Sequence, residues 1–412
     1  MISLARALGG NITQTDRQLI TKHVDAIFDQ EQYSREKRKE NEAEYSEISR
    51  HAYLEKSSYS FVYKDIAYLP FIMGVWIAYG LCLSFNLTIV FVRFFNLLII
   101  GILIYLSMRR LKTGKMLVAA FAMIPTVFFL AVSYSYDSWL TFLLLYAFCR
   151  YFGELQRKEE SLTLAGFLGI FIPAFLALLP KIVYAPMLFL MAYMPKEKFK
   201  EKKWCLAYRA CFVFAALVVV AGILYFASGR FTWGTGDTRG GEEVNADMQI
   251  QYILANPGTF FSILKEFLKG YLSYENSGQY LTYMAYMGLV NMPFIPIIIL
   301  VVTALFDRSS SDTKTVPIIS KAGAVLMVII IAAICAAAMY IAFTPVGLNT
   351  VNGCQGRYLL PALFPLLYMV SRFGRFTEFR KKISIEIVNM AIIFVSVGFL
   401  MYNLWVNCVV KY

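Results

Sequence analysis

Five ionisable residues of this sequence lie inside long apolar segments or at their ends, apart from those in the basic loops. One of them, Glu386, follows Lys381 and Lys382, and a local ion pair explains it. The other four are candidates for one shared site. They are Arg93 in "FVRFF", Asp137 in "SYSYDSW", Lys181 in "LLPKIVY" and Arg357 in "GCQGRYLL". An ionisable group at bilayer depth is costly, so it is usually functional or paired. Three cations and one carboxylate suit an anionic ligand such as a phosphate, because Arg offers a forked donor and Lys a compact positive charge.

Each of these four residues also has a structural explanation, which the sequence leaves open. Asp137 could cap the helix that follows it, and Lys181 could extend to the lipid headgroups. Arg357 could anchor a helix at the membrane interface, and Arg93 could form a structural ion pair with Asp137. If the four residues lie at the same depth in the membrane, they favour one shared site. Their depth follows from the order in which the apolar segments cross the membrane.

The composition predicts a membrane protein. Of the 412 residues, 58% are hydrophobic and 16% are charged, whereas soluble domains are roughly 45–50% apolar and about 25% charged. Runs near 20 apolar residues match the thickness of a bilayer core. We expect an all-α, polytopic transmembrane bundle in the cell membrane, with about ten spans and additional interfacial helices. The apolar runs cover approximately residues 66–85, 88–108, 116–133, 138–153, 162–180, 182–195, 208–227, 283–306, 320–344, 357–371 and 383–409.

The distribution of basic residues predicts an orientation. Lys and Arg outnumber Asp and Glu by 39 to 27, but they concentrate in short loops, which is the positive-inside pattern rather than a nucleic-acid surface. The basic loops 108–115, 196–209 and 371–382 are predicted to be cytoplasmic, and alternation adds 150–161 and 307–319. Residues 134–137, Lys181, 228–280 and 345–356 are then outside, so the four ionisable residues share the outer end.

The sequence divides into two predicted parts. Residues 1–66 are polar and form an external N-terminal segment, and residues 67–412 form a transmembrane helical domain with an external loop at 228–280. The run 66–85 either spans the membrane, which gives eleven spans, or lies in the outer interface, which gives ten. The stretch "QIQYILANPGTFFSILKEFLKGY" mixes apolar and charged residues and predicts a helix on the outer membrane surface.

Several kinds of chemistry find little support. The only histidines are His23 and His51, in the polar N-terminal segment, so a histidine-based site within the membrane domain is excluded. The seven cysteines are scattered and have no metal-binding spacing. No metal site is predicted, and no motif indicates a cofactor.

The order of these features resembles a known class. The stretch "YKDIAYLPFIMGVWIAYG", the Arg93-bearing segment, the basic turn "MRRL" and the outer "SYSYDSW" resemble the start of the C-type integral membrane glycosyltransferases. "PKIVYAPMLFL" and "GCQGRYLLPALFPLL" are more specifically similar to a bacterial family, domain of unknown function 2142, which resembles that superfamily. The similarity covers most of residues 63–370.

The resemblance implies a function for the outer residues. It predicts a glycosyltransferase that moves a sugar from a polyprenyl-phosphate donor to a cell-surface glycan or lipid acceptor. Arg357, Lys181 and Arg93 would then neutralise the leaving phosphate. Asp137 is the candidate catalytic base or an orienting group. Gln355 and Tyr358 are candidate hydrogen-bond partners of sugar or phosphate oxygens.

A non-catalytic alternative stays open. The same cations would serve a transporter, a flippase or an assembly partner for lipid-linked glycans. The resemblance also implies a first membrane span followed by an acidic pair, neither of which is in the sequence. We expect either that the sequence starts after them or that this copy has lost its first helix, which would make it an inactive form.

Overall fold

The computed structural model describes residues 63–157, 159–227, 241, 243–285, 288–307, 318–370 and 384–410. Within these ranges the fold is all-α, as predicted, and the only strand-like feature is one isolated bridge between Tyr283 and Leu289. The α-helices are α1 Leu69–Gly80, α2 Phe85–Arg110, α3 Lys115–Ala122, α4 Pro125–Val132, α5 Tyr136–Gln156, α6 Leu164–Leu178, α7 Met187–Ala192, α8 Lys202–Ala227, α9 Ala246–Ala255, α10 Pro257–Tyr271, α11 Ser277–Leu281, α12 Phe294–Phe306, α13 Ile318–Phe343, α14 Leu360–Val370 and α15 Ile385–Trp405.

Three of the described helices are long and apolar enough to cross a membrane by themselves: Leu87–Arg110, Ser320–Phe343 and Ile385–Val410. A fourth candidate is the pair Lys115–Ala122 and Pro125–Val132, which is bent by 71° at its break. Several further apolar helices are shorter. The count of about ten spans therefore stays a prediction.

Prolines explain why some predicted runs are shorter as helices. The run 116–133 is divided into α3 and α4, and Pro125 is the first residue of α4. Proline has no backbone N–H and cannot continue a preceding helix. Likewise the run 283–306 is helical only from Phe294, directly after Pro293.

Segment α1 is too short to span a bilayer alone. Its 12 residues correspond to about 18 Å at 1.5 Å per residue, against a hydrocarbon core of about 30 Å. Its Phe71 and Val75 are buried against Val92 of α2, whereas Trp76 is 61% exposed. These contacts place α1 against the side of α2, and the choice between ten and eleven spans stays a prediction.

Helix α5 is the centre of the bundle. Leu140, Leu144 and Phe148 are fully buried along its length, and it packs against α2, α6 and α14. Near its end Gly153 meets α2 so closely that a Cβ atom there would lie 2.4 Å from the Arg110 carbonyl oxygen. The close approach of α2 and α5 therefore depends on a glycine at this position.

At one end of the bundle, the loops that are predicted to be cytoplasmic contact one another. The Asp307 carboxylate accepts hydrogen bonds from the N–H groups of Gly114 and Leu117, both at 3.0 Å. Gln156 accepts from the Lys112 N–H at 2.6 Å. Four of the five loops predicted to be cytoplasmic meet here, counting Lys198, whose Nζ lies 3.5 Å from Glu154. The fifth, 371–382, lies outside the described residues.

The amphipathic segment forms α9 and α10. On α10, Ile263 is buried against α13 and the Phe260 ring lies 5.4 Å from the ring of Tyr340, while Lys265 and Glu266 are exposed. The helix is therefore two-faced, as its sequence indicates, and its position on a membrane surface stays a prediction. Residues 1–62 and 228–240, which include most of the predicted external segment, lie outside the described residues.

Candidate functional site

At the other end of the bundle, three of the predicted site residues form one ionic cluster. Asp137 Oδ2 accepts a hydrogen bond from Arg357 Nε at 3.0 Å, and its Oδ1 lies 3.6 Å from Lys181 Nζ. The side chains of Asp137, Lys181 and Arg357 are 7%, 15% and 22% exposed. A single carboxylate, nearly buried, is thus shared by two cations from distant parts of the chain.

Asp137 is held by the start of α5 but does not cap it. The N-cap is Ser135, whose Oγ accepts the Asp137 N–H at 3.1 Å. Asp137 lies in the first turn, where the positive end of the helix dipole stabilises a carboxylate. The capping explanation for Asp137 is therefore wrong, because the serine two residues earlier takes that position and leaves the carboxylate for the cations.

Lys181 lies in the break between α6 and α7 and is surrounded by tyrosine rings. Its Nζ is 3.2 Å from the centroid of the Tyr358 ring and 5.8 and 5.9 Å from those of Tyr136 and Tyr184. Nζ is buried and makes no hydrogen bond with the described part of the chain. This environment does not match a lysine that extends to the headgroups, since the ammonium is covered by aromatic faces.

Arg357 is placed by the short 3₁₀ helix Gly356–Leu359. Gly356 contacts the backbone of Gln279 so tightly that a Cβ would lie 2.7 Å from the Gln279 carbonyl carbon. The Gln355 carbonyl accepts from the Tyr271 hydroxyl, and the Tyr358 carbonyl from the Tyr184 hydroxyl, both at 2.7 Å. The backbone on both sides of Arg357 is therefore fixed by other elements.

Of the two predicted hydrogen-bonding residues near Arg357, Tyr358 lies in the ionic cluster and Gln355 does not. The Tyr358 ring lies directly under the Lys181 ammonium, whereas Gln355 is exposed. Tyr358 is thus part of the ionic cluster. For Gln355, the backbone carbonyl has a structural partner, and a role for its side chain stays a prediction.

Arg93 lies apart from the carboxylate. Its guanidinium carbon is 5.1 Å from the centroid of the Tyr134 ring, and the Tyr134 hydroxyl donates to the Ile89 carbonyl at 2.5 Å. The Arg93 Nε is buried and has no hydrogen-bond partner within the residues that the structure describes. The proposed structural pair of Arg93 with Asp137 is not formed, because Asp137 is taken by Lys181 and Arg357.

The balance of charge suits an anion. Asp137 offsets one of the two positive charges in the cluster, so Asp137, Lys181 and Arg357 together carry a net charge of one positive unit. In the described chain only Nε of the Arg357 guanidinium makes a hydrogen bond, so its two terminal nitrogens are left for another acceptor. Arginine recognises phosphate and carboxylate oxygens through these nitrogens.

Charged side chains also lie within the bundle at the opposite end, where the sequence predicts no site. The predicted apolar run 138–153 and the predicted loop 150–161 overlap at Arg150, and Glu154 falls in the loop alone. In the structure α5 continues to Gln156 and carries both residues. Arg150 is 9% exposed, and its Nη2 donates to the Ala165 carbonyl at 3.3 Å. Apolar residues on both sides of Arg150 in "FLLLYAFCRYF" are the signal that this residue belongs to the helix.

Metal ligands are not grouped in the described part of the chain. Among those residues no three or more His, Cys, Asp or Glu side chains lie close enough together to hold a metal ion. The cluster around Asp137 contains one carboxylate and two cations, which would repel a metal cation.

Comparison with known proteins places the chain in a family. Residues 7–366 match the family described as predicted membrane protein (DUF2142). A search of curated proteins and a search of solved structures found no match. The matched residues include Arg93, Asp137, Lys181 and Arg357 and most of the described helices. The chain therefore belongs to the DUF2142 family of predicted membrane proteins.

Proposed function

We propose that the cluster of Asp137, Lys181 and Arg357 binds the phosphate of a lipid-linked sugar at the outer end of a multi-pass protein of the cell membrane. The observation that carries the proposal is the unequal charge of the cluster, with one carboxylate held between two cations. A phosphate supplies the missing negative charge, and the free terminal nitrogens of Arg357 offer it two parallel donors.

The activity that we infer from this binding is glycosyl transfer from a polyprenyl-phosphate donor to a surface glycan or lipid acceptor. In such a transfer the acceptor hydroxyl attacks the sugar and the bond from the sugar to the phosphate breaks. Negative charge then grows on the departing phosphate, and cations fixed in advance stabilise it without reorganisation. Lys181 and Arg357 would supply that stabilisation, with Arg93 as a further cation.

Within this proposal Asp137 has an orienting role before any role as a base. Both of its oxygens face cations, Oδ2 towards Arg357 and Oδ1 towards Lys181, so neither oxygen is left for an acceptor hydroxyl. To act as the general base, it would have to release one cation when the donor binds. The proposal therefore assigns Asp137 to the positioning of Lys181 and Arg357.

A second candidate function is supported by the same observation. A carboxylate that is fully engaged favours binding over proton transfer, so the protein could hold lipid-linked glycans for transport or assembly without chemistry. The two functions share the binding site and differ in whether the sugar leaves the lipid.

A binding measurement with matched lipids tests the shared site. The purified full chain in neutral lipid nanodiscs is expected to bind polyprenyl phosphate and not the uncharged polyprenol. Arg357→Ala and Lys181→Met should each weaken that binding by roughly 10-fold or more, the effect of losing one charged hydrogen bond. Lys265→Ala, an exposed lysine on α10, is the matched control and should bind as the unaltered chain does.

The outcomes separate the possibilities. Equal binding of the two lipids, or unchanged binding in both variants, would contradict the site. An assay that follows the sugar–phosphate bond then distinguishes the functions. The purified chain is incubated with a labelled polyprenyl-phosphate sugar and membranes that contain acceptors. Label that leaves the lipid with the unaltered chain, but not with Arg357→Ala, supports transfer. Label that stays on the lipid while binding is intact supports the non-catalytic function.

A further inference from the structure

A second candidate site lies at the end of the bundle where the basic loops meet. A cavity of about 530 Å³ opens between the start of α6 and the first turns of α8. This volume falls within the range of roughly 300–1,000 Å³ found for small-molecule sites. Its walls are apolar and aromatic, formed by Leu164, Phe167, Phe199, Trp204, Tyr208 and Cys211. The cavity therefore offers space for a hydrocarbon chain.

Hydrogen bonds within the protein hold the wall of this cavity in place. Lys198, 2% exposed, donates from Nζ to the carbonyls of Arg157 and Glu160 at 2.9 and 2.6 Å, and the Leu162 N–H donates to the Lys198 carbonyl at 2.7 Å. These bonds fix the segment that carries Phe199 beside the start of α6. The cavity is thus preformed.

The mouth of the cavity is positively charged. The segment 196–203, "KEKFKEKK", contains five lysines and two glutamates. Lys203 is paired with Glu201 at 2.8 Å, and Lys198 is buried against Glu154. Lys200, which lines the cavity, and Lys202 are exposed and make no ion pair with the described part of the chain. Unbalanced positive charge therefore lies beside an apolar cavity.

We propose that this cavity binds an anionic glycerophospholipid of the bilayer, with one acyl chain between Phe167 and Trp204 and the phosphate at Lys200 and Lys202. The charge of the mouth selects an anionic headgroup, since each lysine near such a lipid favours binding by about fivefold. The proposal is independent of the lipid-linked sugar site, which lies at the opposite end of the bundle.

Fluorescence quenching of Trp204 tests this proposal. The full chain and its Trp204→Phe variant are placed in neutral phosphatidylcholine vesicles, and the difference between their emissions isolates Trp204. Brominated phosphatidylglycerol, at the same mole fraction as brominated phosphatidylcholine, is expected to quench Trp204 about 5- to 25-fold more strongly, which corresponds to one or two lysines at about fivefold each. In Lys200→Gln with Lys202→Gln, the ratio of the two quenching constants should fall to about one.

Two further variants make the result decisive. Lys265→Gln with Lys269→Gln removes two exposed lysines from α10 and should leave the ratio unchanged. Ala207→Phe places a large side chain in the cavity and should reduce quenching by both brominated lipids. Equal quenching by the two lipids in the unaltered chain, or an unchanged ratio after loss of Lys200 and Lys202, would overturn the proposal.

Discussion

Asp137 is the residue on which the outer site depends, because it holds two cations in place with one nearly buried carboxylate. Its contacts join positions that are 220 residues apart for Arg357 and 44 residues apart for Lys181. Breaking a buried ion pair by removing one partner is more damaging than removing both, since the charge that remains has no compensation. The cluster is therefore both a candidate binding site and a source of stability.

Substitution of the carboxylate tests this double role. Asp137→Asn keeps the shape but removes the charge, and we expect it to destabilise the fold by about 3 kcal/mol, because two cations are left together. The melting temperature in mild detergent should fall, and added polyprenyl phosphate should restore part of the loss by replacing the negative charge. Asp137→Asn combined with Lys181→Met should be less destabilised than Asp137→Asn alone. An unchanged melting temperature in Asp137→Asn would show that the cluster does not contribute to stability.

At the scale of helices, the site is positioned by close contacts far from it. The outer end of α5 carries Asp137, and the inner end packs against α2 through Gly153, where the Arg110 carbonyl fills the space of a Cβ. Short elements then hold the two cations: Lys181 directly precedes the 3₁₀ helix Ile182–Tyr184, and Arg357 lies in the 3₁₀ helix Gly356–Leu359. The site residues therefore lie at the ends of helices, and their positions depend on how those helices pack against one another.

A larger side chain at the contact of α2 and α5 should separate these helices. We expect Gly153→Ala to cost about 1–3 kcal/mol, because the added methyl group meets backbone atoms that cannot rotate away. The measurement is the melting temperature in mild detergent. Gly101→Ala on α2 is the matched control, since a Cβ there meets nothing within 4 Å, and it should be neutral or slightly stabilising. Equal effects of the two substitutions would contradict the contact.

Over the whole molecule, the two ends differ in their chemistry. The inner end joins backbone N–H groups to Asp307 and Gln156 and collects the basic loops, and the outer end holds the ionic cluster and the tyrosines. The positive-inside pattern predicts that the inner end faces the cytoplasm. Lipid-linked phosphate would then be bound from outside, and the anionic phospholipid from the cytoplasmic leaflet.

Accessibility of cysteines on intact cells tests this orientation. In a chain whose seven cysteines are replaced, Glu275→Cys introduces a thiol at an exposed position of the outer end, and Lys112→Cys one at an exposed position of the inner end. A membrane-impermeant maleimide should label Glu275→Cys on intact cells and Lys112→Cys only after permeabilisation. Labelling of both variants on intact cells would contradict the predicted arrangement of the two ends.

Much of the candidate site follows from the sequence, because isolated charges among apolar residues are conspicuous. Arg93, Asp137, Lys181 and Arg357 stand out on that ground, and their placement at one end follows from the basic loops. Arg150 and Glu154 lie where the predicted apolar run 138–153 gives way to the predicted loop 150–161, and the sequence alone does not separate helix from loop there. Contacts with neighbouring helices, which no local pattern of residues shows, decide between helix and loop at these positions.

Composition and charge are properties of the chain, so the sequence is enough to predict the all-α class, the apolar segments and the four ionisable residues of the candidate site. The sharing of Asp137 by Lys181 and Arg357, and the contact of Arg93 with Tyr134, depend on how the helices pack. Apolar helices of similar composition can pack in many orders. One packing order is selected by close contacts between helices, such as that of Gly153 with the Arg110 carbonyl. Such contacts join residues far apart in the sequence and form only when the helices pack.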